Sequence, residues 1–266
     1  MLHYKIHNHS PNATWIIFLH GAGGSSAAWN QQWEAFKNDY NLLAIDLRDH
    51  GQSKNIEPEK KRYSFDLIAR DIILVIDHLK IERAHFITLS FGSVLIQDLS
   101  MRKPQLVDRV VMAGGIFKAN WLVKGFVHLA RFFNLFLSYP QMYSVFSYLL
   151  MPKKRHQLSR RVYQIHAQKI TNKEYLKWLG LYSTFFMTLR RFYNQDINFP
   201  ALVVMGEDDF VFLKAAKRFT DKHENVNLKV IPKAGHICNI DNPKSFNILV
   251  KEFLTTPAST TQRVAV

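Results

Sequence analysis

The stretch that decides the fold is Ala84-His85-Phe86-Ile87-Thr88-Leu89-Ser90-Phe91-Gly92-Ser93-Val94-Leu95-Ile96. Its apolar, partly β-branched run from Phe86 to Leu89 is typical of a buried strand, and the apolar periodicity after Gly92 is typical of a helix. Ser90 therefore falls on a tight strand-to-helix turn, with the first N–H groups of the helix beside its hydroxyl. This placement favours a nucleophilic serine, but Thr88 stands where the pattern G-x-S-x-G has its first glycine.

Similar apolar runs recur along the chain, and helical periods separate them. Because each run is apolar throughout, the strands are expected to be buried on both faces. The sequence therefore predicts an α/β fold with a mostly parallel sheet flanked by helices. Predicted strands span 2–7 (an edge strand), 14–19, 41–47, 86–89, 107–113, 200–205 and 226–231, and helices are expected at 26–40, 64–79, 213–223 and 243–254.

Residues 117–195 interrupt this alternation with a predominantly helical pattern of their own composition. They hold 18 of the 35 aromatic residues and 13 Lys and Arg against one acid, Glu174, which accounts for +12 of the net charge of +14. We interpret them as a helical subdomain inserted between core segments 1–116 and 196–254. Residues 255–266 are predicted to be a loose C-terminal tail.

Four motifs follow one another in a recognisable order. His20-Gly21 ends a strand, Asp46-Leu47-Arg48-Asp49-His50-Gly51-Gln52-Ser53 follows the next, Ser90 lies on its turn, and Gly206-Glu207-Asp208-Asp209 precedes Gly235-His236. In this order the chain resembles the α/β-hydrolase fold family, and within it the capped serine esterases and lipases. Two positions depart from the family pattern: Thr88, and Asp49 in place of a glycine.

The resemblance implies a catalytic triad. A serine hydroxyl needs a base as it attacks, and His236 is the candidate base. A buried carboxylate would orient the imidazole; the family's spacing selects Asp209 over Asp208. The resemblance further assigns the oxyanion-binding N–H groups to Ala22 and Phe91. This chemistry requires no metal ion and no organic cofactor.

The resemblance also makes the insert a cap over the nucleophile, and its aromatic content favours a hydrophobic acyl group. We expect the substrate pocket to be formed by His20, Gly21, Trp121, Phe126 and Phe133, with His20 and His50 acting as loop hydrogen-bonders rather than catalysts. The expected function is hydrolysis of a carboxylic ester or thioester through an acyl-enzyme. Alternatives are C–C bond hydrolysis, acyl transfer, or ligand binding without catalysis.

The basic charge of the cap suggests an acidic carrier protein or an anionic membrane surface as partner, in addition to the small-molecule or acyl-chain substrate. Such contacts are expected from Arg155, Arg160, Arg161, Arg190 and Arg191. No nucleic-acid motif is present, which argues against a nucleic-acid partner. The uncharged run 132–151 is interrupted by polar residues, which disfavours a membrane span. With no secretory signal and only Cys238, the sequence predicts a cytoplasmic protein, or one peripheral at a membrane surface.

Overall fold

The computed structural model of the chain describes residues 1–57, 60–118, 125, 128–129, 132–133 and 136–257. Within these residues a single seven-stranded sheet has the order β1-β3-β2-β4-β5-β6-β7, and only β1 runs antiparallel to its neighbour. The predicted α/β fold class is thereby confirmed. The strands are β1 (Tyr4–His7), β2 (Trp15–Leu19), β3 (Asn41–Ile45), β4 (Ala84–Leu89), β5 (Val107–Ala113), β6 (Ala201–Gly206) and β7 (Val226–Ile231).

Helices connect and cover these strands. The predicted helix over 26–40 is divided into a 3-10 turn at Ser26–Trp29 and the α-helix that follows it, and Ser64 caps α2 by accepting the Leu67 N–H. The α-helices are α1 (Asn30–Phe36), α2 (Phe65–His78), α3 (Phe91–Arg102), α4 (Tyr139–Leu150), α5 (Gln157–Ala167), α6 (Asn172–Trp178), α7 (Tyr182–Asn194), α8 (Leu213–Lys222), α9 (Cys238–Asp241) and α10 (Pro243–Thr255).

The core is built on the central strands. All residues of β4 and β6 are buried, as a parallel strand covered by helices on both faces requires. Because β2, β4, β5, β6 and β7 run parallel, their carboxyl ends lie at one edge of the sheet. The loops that carry the sequence motifs therefore meet at that edge.

Helices α4–α7 follow β5 and precede β6 along the chain, and they form the cap. The cap has a small apolar cluster of its own, made of Tyr139, Met142, Tyr143, Phe146, Ala167 and Ile170. It is tied to the core by Lys54 on Glu174 at 2.9 Å, by the Trp178 indole donating to the Arg48 carbonyl, and by the Tyr63 N–H donating to the Lys177 carbonyl. No helix in the described ranges has the length and apolarity that a bilayer crossing needs. Most of the predicted tail, 258–266, lies outside the described residues.

Candidate active site

Ser90 sits on a strained turn between β4 and α3. Its backbone has φ +50° and ψ −113°, a region that a residue with a Cβ rarely adopts. The turn is fixed because the Ser90 N–H donates to the Ala113 carbonyl and the Ser93 hydroxyl donates to the Ser90 carbonyl, at 2.8 and 2.6 Å. Gly92 allows the close approach of β2, since a Cβ there would lie 2.5 Å from the Leu19 carbonyl oxygen.

The two departures from the family pattern have structural explanations. The Thr88 side chain is fully buried, and its hydroxyl donates to the Val111 carbonyl of the neighbouring strand at 3.0 Å. A threonine is therefore accommodated beneath the turn because its polar atom is satisfied. Asp49 has φ +63°, a conformation that aspartate tolerates better than most residues, and its carboxylate accepts the Tyr63 hydroxyl at 2.6 Å.

The structure brings together the three residues predicted as a triad. His236 Nε2 lies 2.8 Å from Ser90 Oγ, and His236 Nδ1 lies 2.7 Å from Asp209 Oδ2. The histidine and the aspartate are buried, and the other carboxylate oxygen of Asp209 accepts the Phe212 N–H at 3.1 Å. With its proton on Nδ1, His236 can donate to Asp209 and accept from Ser90, which is the arrangement a general base requires.

Asp208, the alternative acid, has a different environment. Its carboxylate binds Lys153 Nζ at 2.5 Å, Arg155 Nε at 2.8 Å and His156 Nε2 at 3.1 Å, all from the cap. Burial raises the pKa of the Asp208 carboxyl, but the hydrogen bonds and charges of Lys153 and Arg155 lower it by more. The pKa of Asp208 is therefore below its usual value. Asp208 therefore joins the cap to the turn after β6.

The loop after β2, residues 21–24, is fixed by three side chains. His20 Nδ1 contacts the Gly21 carbonyl at 2.7 Å, His50 Nε2 accepts the Gly23 N–H at 2.9 Å, and the Tyr143 hydroxyl donates to the Ala22 carbonyl. Burial lowers the pKa of His20 to about 4 and that of His50 to about 3, so both imidazoles are neutral near pH 7. The predicted oxyanion-binding residue Ala22 is thus held from both the core and the cap.

Two cavities adjoin this loop. The nucleophile cavity, about 60 Å³, is lined by Ser90 and His236 together with Gly21, Ala22, Tyr163 and His166 among others. The aromatic cavity, about 210 Å³, is lined by Ala22, Gly23, His50, Phe91, Tyr139, Tyr143, Ile170, Tyr175, Trp178, Leu179, Leu181 and Phe185. Ala22 borders both cavities, and Phe91 borders the larger one.

Two stacked tyrosines separate these cavities. The rings of Tyr143 and Tyr163 lie 4.1 Å apart at an interplanar angle of 14°, with Tyr143 facing the aromatic cavity and Tyr163 the nucleophile cavity. The site is therefore divided into two compartments of different size and lining, which meet at the Ala22 loop. Two-compartment sites suit substrates whose two parts differ in shape.

The structure places the residues predicted to form the pocket in different environments. Gly21 lines the nucleophile cavity, whereas His20 is fully buried, accepts the Leu47 N–H at 3.0 Å and is absent from both linings. His20 is therefore a support for the loop, not a wall of the pocket. Phe133 packs against the apolar cluster of the cap instead. Trp121 and Phe126 lie outside the described residues.

Several aromatic residues of the pocket were not singled out from the sequence. All of them belong to the insert: Tyr139, Tyr163, Tyr175, Trp178 and Phe185. Their aromatic character was the only available signal, and it does not distinguish them from Phe136, which is 72% exposed. Among the described residues, no three His, Cys, Asp or Glu side chains converge as a metal site.

The basic residues of the cap are partly engaged within the chain. Arg155 binds Asp208, and Arg160 is buried, donating to the carbonyls of Met151 and Lys153. Arg160 was expected among the partner contacts, but its guanidinium satisfies backbone carbonyls between α4 and α5 instead. Arg161, Arg190 and Arg191 are exposed.

Comparison with known proteins agrees with this architecture. A relative from Agrobacterium fabrum with the provisional name carbamate hydrolase RutD is 25% identical, over 95% of this chain and 98% of its own length. The 3-oxoadipate enol-lactonase 2 of Acinetobacter baylyi is 23% identical, over 89% and 86%. The crystal structure of an enol-lactonase from Burkholderia xenovorans LB400 superposes with a TM-score of 0.75 at 23% identity, covering 96% of each chain. The family model described as alpha/beta hydrolase fold matches residues 14–243, and the chain belongs to this family.

Proposed function

We propose that the chain is a serine hydrolase that cleaves a carboxylic ester or thioester of a hydrophobic acyl group. The observation that carries this proposal is the unbroken line from Ser90 Oγ through His236 to Asp209, at 2.8 and 2.7 Å. A serine, a base and a buried carboxylate in this order can activate the hydroxyl for attack on an acyl carbon. The family includes many hydrolytic reactions, so the bond cleaved is part of the proposal.

In the proposed reaction Ser90 Oγ attacks the acyl carbon and gives its proton to His236 Nε2. Asp209 stabilises the imidazolium, which then protonates the leaving alcohol or thiol. The negative oxygen of the tetrahedral intermediate would accept hydrogen bonds from the backbone N–H groups of Ala22 and Phe91. Water attacks the resulting acyl-enzyme by the same proton route, which releases the acid and restores Ser90.

The aromatic cavity supports a hydrophobic acyl group. It offers polar groups mainly through His50 and the tyrosine hydroxyls, and most of its wall is aromatic or aliphatic. The removal of apolar substrate surface from water favours binding by roughly 25 cal/mol per Å². We place the acyl group in this cavity and the smaller leaving group in the nucleophile cavity.

A fluorophosphonate probe tests the nucleophile. We expect the wild-type chain to be labelled on Ser90 and Ser90→Ala to show no labelling. Ser100→Ala is the matched control, because the Ser100 hydroxyl lies on the helix that follows Ser90 and donates to the Gln97 carbonyl. Labelling that persists in Ser90→Ala would refute the assignment.

The nature of the scissile bond needs a separate experiment. Product analysis should show release of free acid from p-nitrophenyl esters of increasing chain length, with matched amides, carbamates and vinylogous 1,5-diketones as competitors. Preferential turnover of a diketone would favour C–C bond hydrolysis, and ester formation with an added alcohol would favour acyl transfer. Tight binding of these compounds without any product would indicate a ligand-binding protein.

A further inference from the structure

The exposed apolar side chains of the molecule are concentrated on its cap. Of the sixteen large apolar side chains that are exposed in the described part of the chain, ten lie between residues 117 and 195. Single exposed apolar residues are normal on a soluble protein, but a concentration in less than a third of the chain is not explained in that way. The function proposed above does not use these side chains, because none of them lines either cavity.

Five of these side chains lie on one surface. Helices α4 and α5 run antiparallel, since Gln164 donates to Ser147 at 2.7 Å while Arg160, further back along α5, covers the Tyr148 ring at 4.8 Å. We define the outer cap face as Val145, Tyr148 and Leu149 of α4 with Leu158, Arg161 and Ile165 of α5. Its apolar members are between 39% and 62% exposed.

The helical period places the two stripes on the same side of the helix pair. On α5, Val162, Tyr163 and His166 line the nucleophile cavity, whereas Leu158, Arg161 and Ile165 are exposed to solvent. On α4 the inward positions hold Met142, Tyr143 and Phe146, whereas positions 145, 148 and 149 face outwards. The outer cap face is therefore the solvent side of the helices that roof the site.

The charge around this face is positive. Arg161 lies within it, Lys154 stands in the connection at one end, and Lys169 follows α5 at the other; all three are exposed. Glu174 is the single acid between residues 117 and 195, and it is bound to Lys54. An apolar surface bordered by cations matches the interface of a bilayer that carries anionic head groups.

We propose that the outer cap face docks on the surface of an anionic phospholipid membrane. The five apolar side chains enter the interfacial region, and Arg161, Lys154 and Lys169 lie among the head groups. A second copy of the chain fits this face poorly, because it would bring two positively charged caps together. An acidic protein would match the charge but would leave aliphatic side chains such as Leu158 without an apolar environment.

Vesicle sedimentation with the full chain tests the proposal. We expect the protein to pellet with vesicles of equal parts phosphatidylcholine and phosphatidylglycerol, to remain in solution with phosphatidylcholine alone, and to be released by high salt. The variant Leu158→Gln/Arg161→Gln should lower the bound fraction at least about tenfold. The control Leu74→Gln/Arg218→Gln removes the same kinds of exposed side chain from the surface outside the cap and should bind like the wild type.

Three outcomes would overturn the proposal. Equal losses in the cap and control variants would show that net charge alone drives binding. No sedimentation with anionic vesicles, together with salt-sensitive retention on a polyglutamate matrix, would assign the face to an acidic protein. A dimer in sedimentation velocity that Leu158→Gln dissociates would assign it to self-association. Fluorophosphonate labelling of each variant shows whether the active site is intact, so a failure here is separate from a failure of the proposed hydrolysis.

Discussion

The Tyr143 hydroxyl on a cap helix donates its hydrogen bond to the carbonyl oxygen of Ala22, in the loop beside Ser90. Burial raises the pKa of Tyr143 well above its usual 10, so the hydroxyl keeps its proton at neutral pH and remains a donor. Gly23 has φ +71°, and any Cβ at this position would overlap the Tyr143 ring. The cap thus fixes the backbone that is proposed to bind the oxyanion.

Tyr143→Phe should lower kcat for an ester substrate by about tenfold and change KM little, because it frees the Ala22 carbonyl and loosens the proposed donor N–H. The phenylalanine ring keeps the stack on Tyr163. Tyr148→Phe, on the solvent side of the same helix, is the control and should have wild-type kinetics. An unchanged kcat in Tyr143→Phe would show that this bond does not position the loop.

Asp209→Asn and Asp208→Asn should separate the two neighbouring acids. Loss of the carboxylate that orients His236 should lower kcat on the order of 10⁴-fold for Asp209→Asn. Asp208→Asn should retain kcat within about threefold but lower the free energy of unfolding by about 1 to 3 kcal/mol, since it weakens bonds to Lys153 and Arg155. Steady-state kinetics measure kcat, and urea denaturation measures the free energy of unfolding, for both variants. The opposite ranking would make Asp208 the orienting acid.

Local chemistry explains which parts were predictable from sequence. The strands were recognised because apolar runs buried on both faces leave a continuous signal, and Ser90, Asp209 and His236 follow strand ends that parallel topology brings to one edge. The assignments within the cap depend on how its helices pack against one another, which residue type alone does not determine. Phe133 packs into the cap cluster, Phe136 faces solvent and Phe185 lines the cavity, although all three are the same residue.

Leu179→Trp should narrow the aromatic cavity and change substrate preference. A larger ring at this lining position should lower kcat/KM for esters of bulky acyl groups by about tenfold or more, and that for the acetyl ester by less than about threefold. Leu176→Trp, at an exposed position of α6, which ends directly before Leu179, provides the control. An equal loss on both esters would mean that the acyl group binds elsewhere.

Acidification should destabilise the fold through His20 and His50. Their pKa values, about 4 and about 3 in the folded chain, lie below the ordinary 6.5, so the unfolded chain binds more protons between those limits. The contribution of these two histidines to the free energy of unfolding is therefore fully present above about pH 6.5. It declines by on the order of a few kcal/mol as the pH falls towards 4.

Urea denaturation at about pH 7 and about pH 5 measures the free energy of unfolding at each pH. The slope of this free energy with pH gives the number of protons taken up on unfolding. His50→Gln should reduce the uptake by up to one proton, whereas replacing the exposed His9 by glutamine should leave it unchanged. Identical uptake in the wild type and in His50→Gln would contradict the assignment of a neutral, buried His50.

The left-handed backbone of Ser90 has a consequence for how this chain evolves. A glycine would adopt φ +50° without a Cβ penalty, so Ser90→Gly should relieve on the order of 1 kcal/mol while removing the proposed nucleophile. Selection for folding alone would therefore replace this serine. A serine at this position is what the proposed attack requires, at a cost in stability that glycine would avoid.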